Sequence, residues 1–261
     1  MAERSLIPYI LLIILVGTLS LPAGYAQQNP QAMFDKANTL LNSRQHVQAI
    51  QQYHKLENQQ HFSGALFLNM GIAYQRTDSL GKAKYYYLKS ATFEETEAQA
   101  RQALEYINTQ FSHQSAVLPK LPWETAIEWL NDHIGAQALL GAGLVAFNIG
   151  IIIFITCWFY TRLPKLVKSL SYTFIGLAML VIATAFYTQY TANRYSMAVM
   201  VTEEAPVTET PQKSASLVSR AFEGYTFTVD HKRSETQSSW SYVRMSNGLY
   251  GWIPTEEIMV L

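Results

Sequence analysis

Few residues in this sequence could do acid–base, nucleophilic or metal chemistry, and their spacing fits none of these. The six histidines are His46, His54, His61, His113, His133 and His231. None belongs to an HExxH pair, which would set two imidazoles on one helical face around a zinc ion. His54 and His61 share a helical face at best, and two surface imidazoles account for that spacing. The one cysteine, Cys157, sits inside an apolar run, so the chain can form neither an internal disulfide nor a multi-thiolate metal site. No glycine-rich phosphate loop is present. The expectation is a non-enzyme with no catalytic, cofactor-binding or metal-binding residue, whose working residues bind partners.

Charge narrows the partners. With 19 basic and 19 acidic residues the 261-residue chain is formally neutral. A nucleic-acid protein needs an excess of Lys and Arg against phosphate, so that class is set aside.

Three charge-poor stretches organise the rest. Leu6 to Leu21, preceded by Arg4 and followed by Ala23-Gly24-Tyr25-Ala26, has the layout of a secretory signal peptide cut after Ala26. The alternative is an uncleaved anchor. Residues 135–160 and 169–193 hold no Asp, Glu, Lys, Arg or His and are each long enough to cross a membrane. Trp158, Phe159, Tyr160, Tyr187 and Tyr190 stand at their ends, where aromatic rings favour the headgroup level. Between them, residues 161–168 carry Arg162, Lys165 and Lys168 and no acid. Short basic loops stay in the cytoplasm, which puts both flanks on the outer side. A stripe of Ala138, Ala142, Ala146 and Gly150 is expected to let the second span approach the first closely.

Residues 27–111 show a spacing of 34. Ala37 pairs with Gly71, Leu40 with Tyr74, Ala49 with Ala83 and Tyr53 with Tyr87. Small residues let two helices touch, and large ones fill the groove around them. Thr77-Asp78-Ser79 makes a polar, helix-starting turn. These stretches resemble the tetratricopeptide repeat, with a further helix from Thr96 to about Phe111 as a cap. By that resemblance Phe34, Asn38, Leu68, Ile72 and Gln75 stand at positions that usually face a protein-binding groove. The alternative for Phe34, Leu68 and Ile72 is ordinary core. Residues 112–134 then read as a linker, bracketed by Pro119 and Pro122, and an amphipathic helix with Trp123 or Trp129 as an interfacial anchor.

Residues 196–261 read as five short strands: Ala198–Thr202, Tyr225–Val229, Trp240–Met245, Tyr250–Ile253 and Ile258–Leu261. Asn247-Gly248 marks a hairpin. The run Trp240-x-x-Val243, Asn247-Gly248 and Gly251-Trp252-Ile253-Pro254 resembles the bacterial SH3 domain, a small all-β barrel. Alternation points Val243, Met245 and Ile253 into the core and Trp240, Tyr242 and Trp252 to the opposite face. That face is either a platform for a peptide or a cell-wall glycan, or a cover for the open ends of the barrel.

The order of parts is leader, α-helical repeats, two-helix transmembrane hairpin with a basic turn, then SH3-like barrel. It resembles the BatE-type proteins of the Bacteroides aerotolerance operon. That resemblance implies a role in oxygen or stress tolerance in a bacterial cytoplasmic membrane. The implied partners are membrane proteins with von Willebrand A domains and an associated MoxR-type ATPase. The reading is a multidomain, non-catalytic scaffold. A peptidoglycan-binding protein acting through residues 196–261 is the alternative.

Overall fold

The computed structural model describes residues 29–119, 121–160 and 164–261. The expected leader 1–26 and Arg162 of the basic turn lie outside the described residues. The chain divides into two compact units, one ending at Phe62 and one spanning Ser63–Leu261.

The first unit holds α1 (Pro30–Asn42) and α2 (His46–Asn58). Asn29 starts α1, its side chain accepting from the Gln31 N–H at 3.0 Å, and Pro30 supplies a helix-ready φ with no amide to satisfy. Ala37 and Ala49 are fully buried and leave room for Met33, Tyr53 and Leu56. Arg44 turns the chain through a left-handed φ of 62°.

The second unit opens with a hairpin of the same design, α3 (Gly64–Arg76) and α4 (Leu80–Ser90). Both helices start 34 residues after α1 and α2, and the left-handed turn recurs at Asp78 with φ 59°. Gly71 lies against Tyr87, where an added Cβ would meet the ring at 2.5 Å. That contact is the physical content of the small–large pairing in the sequence. Next comes α5 (Glu97–Asn108), which buries Ala100 and Ile107. A buried hydroxyl knot ties the three helices together. Ser90 Oγ donates to the Gly64 carbonyl at 2.9 Å and Thr96 Oγ1 donates to the Ser90 carbonyl at 2.9 Å. Each of those hydroxyls and carbonyls is thereby satisfied without water.

After α6 (Pro122–His133) come the two long apolar helices, α7 (Ala136–Phe159, 24 residues) and α8 (Lys165–Arg194, 30 residues). At about 1.5 Å per residue both exceed a hydrocarbon core of about 30 Å. By length and composition these two helices can cross a membrane. Their seam repeats every seven residues. Gly143, Gly150 and Cys157 are buried on α7, facing Ser171, Ala178 and Ala185 on α8. An added Cβ at Gly143 or Gly150 would meet Ile182 or Ile175 at 2.7 Å. The expected stripe of every fourth residue is therefore not the contact. Ala138 and Ala142 are exposed and only Gly150 is buried. A spacing of four advances about 40° per step at about 100° per residue, so the stripe walks off the seam, whereas seven residues nearly close two turns.

The chain passes from α8 straight into an antiparallel sheet. Its strands are β1 (Tyr195–Met200), β2 (Glu204–Thr208), β3 (Leu217–Phe222), β4 (Thr226–Asp230), β5 (Trp240–Met245), β6 (Tyr250–Pro254) and β7 (Ile258–Val260). A one-turn helix, α9 (His231–Ser234), follows β4. The ladder order is β3-β2-β6-β5-β4-β1-β7, an open seven-stranded sheet with β3 and β7 at its edges. All seven strands feed one core cluster, including Ala221 of β3 and Ile258 of β7, so the open sheet curls around a single core. The sequence foresees five strands and misses β2 and β3. Pro206 interrupts β2, and in β3 the small Ala221 is the one fully buried residue. The β5–β6 hairpin turns at Asn247-Gly248. Gly248 alone there takes a positive φ, 85°, which fits a three-residue loop closed by a left-handed glycine.

Candidate functional site

The β5–β6 hairpin gathers the aromatic residues picked out in the sequence. Cross-strand register sets Trp240 opposite Pro254, Tyr242 opposite Trp252 and Arg244 opposite Tyr250. Val243, Met245 and Ile253 fill the core, so the alternate residues share the other face. Tyr242 meets Trp252 edge-on at 5.3 Å between centroids and stacks with Tyr250 at 6.2 Å. Arg233 lies 4.5 Å over the Tyr242 ring and Arg244 lies 5.8 Å over Tyr250. Rings paired in this way hold fixed rotamers, and the cations lie against their electron-rich faces. Trp240, Tyr242 and Trp252 are half-buried, and Tyr250 is exposed. A shallow cleft at one end is lined by Lys213, Ser238, Trp240, Pro254 and Glu256. Such a face can stack on flat or apolar groups and hydrogen-bond at its rim.

The groove candidates fall into both units. In the first, Phe34 packs at 6.2 Å from Tyr53, whose hydroxyl donates to Asn38 Oδ1 at 2.6 Å. In the second, Leu68 and Ile72 are half-buried against Ala83, Tyr87 and Ile107. The Tyr87 hydroxyl donates to Gln75 Oε1 at 2.6 Å. Burial pushes the Tyr87 phenol well above its usual range, with the Arg76 charge pulling the other way, so it stays a neutral donor. Asn38 and Gln75 thus each accept a bond from the tyrosine of the neighbouring helix.

A second surface joins parts of the second unit that are far apart in sequence. Ser79, at the start of α4, makes no side-chain cap. Glu223 of the sheet caps that helix instead, its Oε1 accepting from the Gly81 N–H at 2.7 Å. A carboxylate at a helix N-terminus meets unpaired amides and the positive end of the helix dipole. Burial raises the Glu223 carboxyl above its ordinary value, the Gly81 amide opposes this, and the negative charges of Asp78 and Glu203 add to the rise. One turn on, Lys84 Nζ donates to the Gly224 carbonyl at 2.7 Å, and Tyr85 Oη donates to the Val260 carbonyl at 3.2 Å. Burial pushes the Lys84 ammonium down to about 8. Gly81 and Gly224 allow the approach. A Cβ at Gly81 would lie 2.4 Å from the Met200 carbonyl oxygen, and one at Gly224 would lie 2.4 Å from the Phe111 ring.

The stretch read as a linker also lies on the sheet. His113 stacks on Phe222 at 3.9 Å, and the Leu118 N–H donates to the Ser246 carbonyl at 2.9 Å. Helix α6 reaches Arg244 through Glu124 at 3.7 Å. Its Trp123 and Trp129 are 61% and 53% exposed, available to an interface, while Ile127 and Leu130 are half-buried. At the end of α8, Arg194 holds Asp230 with two nitrogens, the shortest contact 2.6 Å. Burial alone would raise the Asp230 carboxyl. The bonds from Arg194 and from the Arg233 amide, with both guanidinium charges, hold it below its ordinary value. None of these pairings had a sequence signal, because Gly81 and Glu223 are separated by 142 residues.

Among the described residues no group of three His, Cys, Asp or Glu is arranged to hold a metal ion. No protein-family model matches the chain, and no curated protein is detectably similar to it in sequence.

Proposed function

We propose that this protein is a non-catalytic, membrane-anchored scaffold that assembles protein partners on the extracytoplasmic face of a bacterial cytoplasmic membrane. One observation carries the reading. The segments before and after the α7–α8 hairpin touch each other through Gly81–Glu223 and Lys84–Gly224. A polar contact of that kind does not form through a bilayer. The two flanks therefore share one side of any membrane the hairpin crosses, as two crossings require. The basic residues Arg162, Lys165 and Lys168 favour a cytoplasmic turn and hence an outward-facing body.

The 34-residue recurrence of helix starts and of the left-handed turn supports a tetratricopeptide-like reading of α1–α5. The Gly251-Trp252-Ile253-Pro254 strand, paired with Trp240–Met245, supports an SH3-like reading of the sheet. On that basis the BatE-type assignment stands as our proposal, with von Willebrand A-domain membrane proteins as partners and oxygen or stress tolerance as the setting. Phe34 and Asn38 in the first unit, and Leu68, Ile72 and Gln75 in the second, are the proposed partner-binding residues of the helices.

The aromatic face Tyr242–Trp252–Tyr250 favours a second reading, peptidoglycan binding with the helices as spacer. A photo-crosslinking amino acid placed at Phe34 or at Trp252 of the full chain in intact cells separates the two. The scaffold reading expects discrete protein adducts from Phe34. It fails if Phe34 captures no protein while the chain is retained on isolated sacculi in a Trp252-dependent way.

A further inference from the structure

Asn148 stands at the midpoint of α7 and is exposed. At about 100° per residue it lies nearly opposite the Gly143–Gly150 seam, on a face shared with Gly141, Val145, Ile152 and Ile155. Its Nδ2 donates one proton to the Leu144 carbonyl at 2.7 Å, and the second amide proton and Oδ1 have no bond among the described residues. The threonines on the outer sides of the two helices differ. Thr156, Thr173 and Thr184 each return their hydroxyl proton to their own helix. Midway through a span, a free amide donor and acceptor would face hydrocarbon, where no water can satisfy them.

We propose that α7 pairs with α7 of a second copy of this chain through Asn148. This rests on the membrane-spanning reading of the hairpin. Copies that insert in the same orientation place equal residues at equal depth. A twofold axis along the membrane normal therefore sets Asn148 against the partner's Asn148. The amide is its own complement, since each Nδ2–H meets the other Oδ1 and both free groups are satisfied at once. A different partner would need its own polar side chain at that depth. Gly141 leaves room for the approach, for a Cβ there would meet nothing within 4 Å. The outer face of α8 carries the exposed Leu177 and Leu180, and its Thr173 and Thr184 hydroxyls are bonded to their own helix, so it offers no comparable free amide.

The test uses the full chain in native membranes, with Cys157→Ser removing the native thiol. Ile152→Cys reports on the Asn148 face and Leu180→Cys on the outer face of α8. Mild oxidation should give a disulfide-linked dimer from Ile152→Cys and none from Leu180→Cys. Adding Asn148→Val should lower the cross-linking about tenfold, and Asn148→Gln should preserve it. Valine suits a lipid-facing helix, so a failure to fold does not confound the loss. Cross-linking that is equal with and without Asn148, or equal at Leu180, overturns the pairing. Alkaline carbonate extraction separates the two readings. A chain that stays in the membrane but shows no Asn148-dependent dimer loses the pairing alone, whereas a chain released by carbonate loses both.

Discussion

Lys84 and Glu223 show how single groups decide the docking of α4 on the sheet. A lysine held at about 8 in the fold, against 10.5 when exposed, binds fewer protons folded than unfolded between those values. Stability must therefore rise with pH across that window. Thermal unfolding of the purified chain in detergent from pH 7.5 to 9.5 should show the rise, and Lys84→Met should flatten it. Glu223→Ala removes the distant cap of α4 and should cost about 1 kcal/mol, seen as faster amide exchange in the first turn of that helix. Asp230 carries the same sign in a more acidic window, because it too binds fewer protons folded than unfolded. Its carboxyl is held below the ordinary 3.8, so the Arg194 contact is complete above that value and is lost as pH falls through the lower, folded one. Neither Glu223 nor Asp230 was legible beforehand. Glu223 is one of several acidic residues in the sequence, and only the fold brings it to the bare N-terminus of α4.

At the scale of elements, composition that acts locally was readable and pairing that acts at a distance was not. The α7 and α8 runs announce themselves because twenty uncharged residues in a row have few other uses. The 34-residue period was likewise legible in Gly71, Ala83 and Tyr87, which pack as their sizes demand. The seam of the hairpin was not. Gly143 and Cys157 look unremarkable until the seven-residue spacing selects them over Ala138 and Ala142. Gly150→Leu should force α7 and α8 apart, because even a Cβ at this position crowds Ile175. The expected cost is about 1–3 kcal/mol, read as lost helicity at lower SDS mole fraction. The aromatic face was half legible. Alternation brought Trp240, Tyr242 and Trp252 together but could not supply Arg233, which arrives from α9.

At the scale of the whole molecule, contacts made by α4 and by residues 113–118 with the sheet bring the two ends of the second unit together across a hairpin able to cross a membrane. The scaffold proposal requires that shared side to be the outer one. The most direct measurement is cysteine accessibility in a Cys157→Ser background, using a membrane-impermeant maleimide. Gln48→Cys in α2, Lys213→Cys between β2 and β3, and Lys165→Cys at the start of α8 are all at exposed positions. The account predicts labelling of the first two in intact cells and of Lys165→Cys only after permeabilisation. Labelling of Lys165→Cys in intact cells, with the other two protected until lysis, would contradict it.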